Sequence, residues 1–168
     1  QMCIRDRYGV VRLNEAKKIR NLSDKKILLM QGIYSKYELL EAKELNLDMV
    51  VHNSDQFQIL KDNNFYNNLW LKINTGMNRL GFEIKEFLEI YDEHLHDKKF
   101  TLMTHLAASN DKDSLSNKNQ FKLFDDLSKK MNKDVDLSIA NTGCVMNFPE
   151  YTYCLLYTSD AADEAWGG

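Results

Sequence analysis

Short apolar runs of strand length alternate with longer stretches of helical period along residues 8–153. The strand-like runs are 8–12, 26–31, 48–52, 69–74, 100–105 and 135–140, each rich in Val, Ile, Leu, Phe or Trp. Between them, 35–46 carries an apolar stripe of Leu39, Leu40, Ala42 and Leu45. The stretch 84–95 repeats it with Phe87, Leu88, Tyr91 and Leu95, and 115–131 with Phe121, Phe124, Leu127 and Met131. Weaker helical patterns cover 14–21 and 54–61. Asn14, Ser35 and Ser54 are the expected N-caps, and Gly32 and Gly81 suit turns.

Six strand–helix alternations imply an α/β fold, a parallel sheet with helices packed outside it. A doubly wound sheet and a (β/α)8 barrel both satisfy that pattern, and the strand faces favour the barrel. Leu71 and Ile73 share one face while Trp70, Lys72 and Asn74 share the other. Phe100 and Leu102 oppose Thr101, Met103 and His105, and Val135, Leu137 and Ile139 oppose Asp136, Ser138 and Ala140. A doubly wound strand is covered on both faces and is apolar on both. One mixed face suits a barrel interior whose upper layer holds a site. The expectation is a partial TIM-type barrel with about six of its eight βα units.

The flanks break the pattern. Residues 1–7 (QMCIRDR) and 154–168 (CLLYTSDAADEAWGG) look like translated sequencing-adaptor read-through, a natural tail being the alternative. They are set aside from fold reasoning, leaving 8–153 as one domain. Net charge over the whole chain is −3, with no basic stripe, which argues against nucleic acid or an anionic membrane as partner. No apolar run reaches the roughly 20 residues that span a bilayer. Cys3, Cys144 and Cys154 are too scattered for a disulfide frame or a metal site, so a cytoplasmic protein with free thiols is expected.

The chemistry concentrates in Leu71-Lys-Ile-Asn-Thr-Gly-Met-Asn-Arg-Leu-Gly-Phe82. It leaves a parallel strand through a turn into a helix, and barrel sites form at that end of the strand. A Thr-Gly turn lets backbone approach a ligand, and Arg79 can grip a carboxylate or phenolate oxygen with its planar fork. Spacing alone leaves a solvated turn arginine open. The string resembles the segment after the fourth barrel strand of alanine racemases, where Lys, Thr-Gly-Met, Arg and Leu-Gly recur at these offsets. Met103-Thr-His-Leu-Ala-Ala-Ser-Asn-Asp111 is similar to that family's Thr-His-Phe-Ala segment, and Ser138-Ile-Ala-Asn-Thr-Gly143 to its Ala-Asn-Ser segment. Residues 8–20 resemble its Gly-Val-Ala … Glu-Ala … Leu-Arg unit.

The resemblance implies pyridoxal 5'-phosphate (PLP) as cofactor and alanine as substrate, in a parent enzyme that is a homodimer supplying cell-wall precursor. Arg79 would contact the PLP phenolic oxygen and the substrate carboxylate, and His105 would flank the pyridine ring. Asn141 and Thr142 match the Asn-Ser pair beside the cofactor phosphate, Thr keeping the hydroxyl. Lys72 resembles a lysine that is carbamylated in many members; an unmodified Lys72 paired to an acid or reaching solvent stays open. His52, His94 and His96 match nothing in the family's site; the latter two are expected to end a helix in solvent. Cys144 is expected to pack rather than react.

The same resemblance places the lysine that anchors the cofactor before these residues, and the pyridine-facing arginine and second base, a tyrosine, after them. A fragment without racemase activity, binding PLP weakly, is therefore expected. Alternatives are a racemase for another amino acid such as serine, or a non-catalytic PLP-homeostasis barrel protein, whose equivalent turn lacks the Thr-Gly-Met-x-Arg-Leu-Gly form. An unrelated α/β domain is the remaining possibility.

Overall fold

A computed structural model of the chain describes residues 7–131, 135–139 and 141–151. Six strands form one parallel sheet: β1 (Arg7–Val10), β2 (Lys26–Leu29), β3 (Asp48–Val51), β4 (Leu69–Lys72), β5 (Phe100–Met103) and β6 (Asp136–Ser138). Their order in the sheet is their order in the chain. A doubly wound sheet reverses strand order where it switches faces. No reversal occurs here, so the sheet winds in one direction and the partial barrel is the fold.

The apolar side chains divide as the alternation requires. Ile27, Leu29, Met49, Val51, Leu69, Leu71 and Leu102 join Leu39, Leu60, Phe87 and Phe124 of the helices in the large outer core. Leu28, Val50, Trp70 and Met103 form a separate small cluster on the opposite, inner face. Met103 of that cluster is registered with Lys72 at the strand ends, so the cluster lies directly beside the first polar group of the inner face.

The helices are α1 (Leu13–Arg20), α2 (Lys36–Glu44), α3 (Ser54–Asp62), α4 (Ile84–Ile90), α5 (Leu115–Ser128) and α6 (Thr142–Asn147). A π-helical turn, Tyr91–Leu95, extends α4, and a short 3-10 turn, Pro149–Tyr151, follows α6. Ser35 caps α2 as expected, accepting from the Glu38 amide at 3.1 Å. Asn53 rather than Ser54 caps α3, accepting from the Gln56 amide at 2.9 Å. The Ser54 hydroxyl is taken up instead by the Glu86 carboxylate. Asn14 is no cap either: α1 is closed from within by Glu15, which receives the amides of Val11 (2.9 Å) and Arg12 (3.1 Å). His94 is half-buried, its ring 5.8 Å from that of Phe57, which corrects its expected place in solvent; His96 is exposed.

Every strand ends before its expected C-terminus. Met30, His52, Asn74 and His105 leave the ladder and enter the βα loops. β1 begins one residue early, at Arg7, which pairs with Lys26 in the sheet. The Arg7 guanidinium forms an ion pair with Asp48 and lies 4.7 Å from the Trp70 ring centre. The remainder of the two flanks set aside above, 1–6 and 154–168, lies outside the described residues, as does Ala140. Among the described residues no helix is long and apolar enough to cross a membrane.

Candidate active site

Lys72 ends β4 with its side chain on the inner face, and only 8% of the residue is exposed. The chain then makes a closed excursion. Ile73 bridges Phe82, the Asn74 amide donates to the Phe82 carbonyl at 2.9 Å, and the Phe82 amide donates to the Lys72 carbonyl at 2.8 Å. The loop 74–81 is thus tied at its neck. Asn74 organises its interior. Its carbonyl oxygen accepts from the amides of Gly76 (3.1 Å) and Asn78 (3.0 Å). Its amide nitrogen donates to Asn78 Oδ1 (3.0 Å) and Glu83 Oε1 (2.8 Å). Asn78 takes a left-handed φ of 57°, a conformation Asn tolerates well, and Arg79 follows it.

Arg79 is exposed, and among the described residues no hydrogen bond or ion pair occupies its guanidinium. Its charge nevertheless reaches Lys72. Burial, and then the Arg79 charge, push the Lys72 ammonium below the usual lysine range. No carboxylate among the described residues compensates it.

The next strand end carries His105, half-buried, with Asn141 of the β6–α6 turn beside it. Asn141 Nδ2 lies 3.5 Å from His105 Nε2. Asn141 Oδ1 accepts from the Cys144 amide at 3.0 Å, capping α6 and turning the Asn141 NH2 toward the imidazole. Thr142 is the exposed first residue of α6. Gly143 lets α6 press against the β5–α5 loop: a Cβ there would meet Asn110 Oδ1 at 2.4 Å and Ser109 Oγ at 2.5 Å.

A directional hydrogen-bond chain joins the Arg79 loop to the His105 segment. Gln120 of α5 donates from Nε2 to Thr75 Oγ1 (3.0 Å) and to the His105 carbonyl (3.0 Å), and its Oε1 accepts from the Ala107 amide (2.9 Å). Thr104 Oγ1 donates to the Ile73 carbonyl (2.9 Å), so in its 2.8 Å contact with Thr75 it accepts from the Thr75 hydroxyl. Thr75, Thr104 and Gln120 are all buried. Gln120→Met keeps the volume and strands the Ala107 amide, so it should destabilise the fold by about 2 kcal/mol. Urea titration measures that loss; hydrogen exchange should show the Ala107 amide opening first.

All five residues singled out from the sequence therefore sit at the C-terminal ends of β4, β5 and β6. Lys72 lies in the repulsive field of the Arg79 charge, and His105 lies beside the Asn141 amide. Asn74, Thr75, Thr104, Gln120 and the buried His52 were not singled out. For Gln120 a signal existed: Asn117, Gln120, Phe124 and Leu127 share one buried helix face. Cys144 packs in the core, and burial followed by the Glu150 charge pushes its thiol up to about 11. At pH 8 roughly one such thiol in a thousand is ionised. Iodoacetamide should leave the Cys144 peptide unlabelled in the folded protein and modify it in urea, as mass spectrometry can read.

The family model for the alanine racemase N-terminal domain matches residues 4–156. The chain belongs to that family. An alanine racemase of Shewanella sediminis is 34% identical over 152 residues, covering 86% of this chain and 42% of the relative. The biosynthetic alanine racemase of Pseudomonas aeruginosa superposes with a TM-score of 0.79 at 26% identity, covering 90% of this chain and 44% of that one. An alanine racemase from Bartonella henselae, solved with covalently bound pyridoxal phosphate, gives 0.75 at 20% identity over 90% of this chain and 46% of that one. The chain thus spans about two-fifths of the length of its alanine racemase relatives, and the six strands described here belong to their N-terminal domain.

Proposed function

We propose that the protein carrying this chain is a cytoplasmic, PLP-dependent alanine racemase, acting as a homodimer to interconvert L- and D-alanine for cell-wall precursor. The observation that carries this reading is the pairing of a buried, uncompensated Lys72 with an unoccupied Arg79 fork, on a turn tied to the His105 segment. The donor set fits the cofactor. PLP is a planar aromatic bearing a phenolate and a phosphate, and these residues offer a guanidinium, an imidazole and an Asn-Thr pair at one strand edge. Bound there, PLP withdraws electrons from the substrate and acidifies its α-carbon proton. Family membership supports the reaction class, and the cofactor seen in the Bartonella relative supports the choice of group.

The roles then follow residue by residue. Arg79 binds the phenolic oxygen and the substrate carboxylate through charge-assisted hydrogen bonds. His105 flanks the ring, with its Nε2 facing the Asn141 NH2. Asn141 and Thr142 hold the phosphate side. Lys72, whose amine is neutral more often than an ordinary lysine's, adds to the carbon of CO2. A C–N bond forms, the displaced C–O pair becomes an anionic oxygen, and the amine proton leaves to solvent. The resulting carbamate supplies the missing negative charge and orients Arg79.

The complete gene product should show a PLP absorbance band and convert L-alanine to D-alanine in a D-amino-acid oxidase assay. A folded, PLP-loaded product that leaves alanine unchanged would be a non-catalytic carrier or a racemase for another amino acid. Serine is the first alternative substrate to assay.

A further inference from the structure

Thr75 is the only buried residue of the loop 74–81, 3% exposed, while Arg79 further along the same loop is exposed. The neck ties that loop to its own strand. What ties it to the segment carrying His105 is the side chain of Gln120, buried on the inward face of α5. Phe121, Phe124 and Leu127 of that helix lie in the outer core, so Gln120 reaches the loop from the helix layer and not from the barrel interior.

The surrounding groups fix which way its amide points. Gln120 Oε1 accepts from the Ala107 amide, and Nε2 donates to both the His105 carbonyl and Thr75 Oγ1. The reversed amide would set NH2 against the Ala107 N–H and oxygen against the His105 carbonyl, two mismatched pairs. Thr75 passes its own proton to Thr104, and Thr104 passes its proton to the Ile73 carbonyl. Both amide hydrogens and both hydroxyls therefore have acceptors, and deleting one member strands its buried partner. Inside the loop, Asn74 Oδ1 binds the amides of Gly76 and Asn78, which carries the placement of Thr75 on to the backbone before Arg79. Gly76 brings that backbone onto the Gln120 stem: a Cβ there would lie 3.5 Å from Gln120 Cγ.

Asn117, a turn earlier on the same helix face, behaves differently. Its Nδ2 donates to the Ala108 carbonyl at 2.9 Å and the Asp111 carbonyl at 2.7 Å, both within the β5–α5 loop. Of these two buried amides, Gln120 alone crosses to the loop that bears Arg79.

We propose that Gln120 is a positioning residue for the racemase site, holding the Arg79 loop at a fixed distance from the His105 segment so that guanidinium and imidazole meet one planar ligand together. The proposal deepens the racemase reading and rests on it. Its action complements that of the Lys72 carbamate, which orients the Arg79 side chain from the interior while Gln120 holds the backbone beneath it. A displacement of about 1 Å, arising away from the chemistry, is enough to cost roughly 100-fold in rate.

The test uses the complete gene product and begins with hydrogen exchange, which needs no turnover and at exposed loop amides reports local opening. In Gln120→Met, exchange at the Gly76 and Asn78 amides should rise about tenfold or more, although Asn74 and not Gln120 binds them. Asn117→Leu breaks bonds confined to its own loop and should leave both amides within about threefold of native. If Gln120 serves only to anchor α5, the Ala107 amide opens without Gly76 and Asn78, and the proposal falls. In PLP-saturated, folded protein, Gln120→Met should lower kcat/KM for alanine about tenfold. Placed in an Arg79→Lys background, the same change should cost about threefold or less, because both act through one group. Equal losses in the two backgrounds overturn the proposal. Should Gln120→Met fail to fold, Thr75→Val serves, since it cuts the link to the loop and keeps the acceptor for Ala107. Thr75→Ser restores the hydroxyl and should restore native exchange and kcat/KM; a Val variant indistinguishable from the Ser variant overturns the proposal as well. Absence of racemisation in the unmutated protein fails the racemase reading alone, because the exchange rates still decide whether Gln120 holds the loop.

Discussion

Replacing Arg79 by lysine should lower kcat/KM for alanine racemisation by about 10- to 100-fold while leaving thermal stability within about 0.5 kcal/mol of the native protein. The separation of the two effects follows from what the guanidinium touches. Among the described residues nothing is hydrogen-bonded to it, so its removal orphans no protein group. What disappears is a planar fork able to hold two oxygens at once, a geometry an ammonium cannot reproduce even at equal charge. Arg79→Ala goes further. It also removes the charge that, after burial, lowers the Lys72 pKa, so the remaining shift should be that of burial alone. The alanine variant should therefore lose more activity than the lysine variant, and the excess should come with weaker PLP binding. Steady-state kinetics, a PLP titration and a melting curve on the complete gene product measure all three. A parallel fall in stability would mean that Arg79 is a structural residue instead.

The features legible in the sequence were those with a period. Alternation in 69–74 and 100–105 separated the helix-facing from the inner residues correctly, because each face packs against a different layer, Leu71 with the helices and Trp70 with Leu28, Val50 and Met103. The Lys-x-Asn-Thr-Gly-Met-x-Arg-Leu-Gly string led to the family, which the comparisons bear out. Features without a period stayed hidden. α6 has six residues, too few for a helical stripe to show. Strand ends were overrun because Met30, His52 and Asn74 continue the alternation of type after the ladder has stopped. Gln120 interrupts an apolar face and reads as noise, since its partners Ala107, His105 and Thr75 lie 13, 15 and 45 residues away. His52 matched no family motif and was passed over. Its place beside Lys72 is a property of strand register, which composition does not encode.

Gly81→Ala should be the most damaging single-atom-scale change in the loop, costing about 3 kcal/mol or more, and Gly76→Ala is its internal control. The two glycines have nearly equal φ, 134° at Gly76 and 131° at Gly81, so an added Cβ meets the same backbone strain at both, of order 1–3 kcal/mol. They differ in what the Cβ touches. At Gly76 the nearest atom is Gln120 Cγ at 3.5 Å, an ordinary contact. At Gly81 it meets backbone, Asn74 N at 2.6 Å and Ile73 C at 2.7 Å, which no side-chain rotation relieves. Those atoms belong to the neck of the loop, where Asn74 donates to Phe82 and Phe82 to Lys72. Relief therefore requires the neck to open, which frees Arg79 from its fixed height above Lys72. Urea titration should place Gly81→Ala at least about 2 kcal/mol below Gly76→Ala, a gap set by overpacking rather than by φ. PLP affinity should fall in the first variant and hold in the second. Equal losses in the two variants would show that strain alone governs this loop and that its neck does not position Arg79.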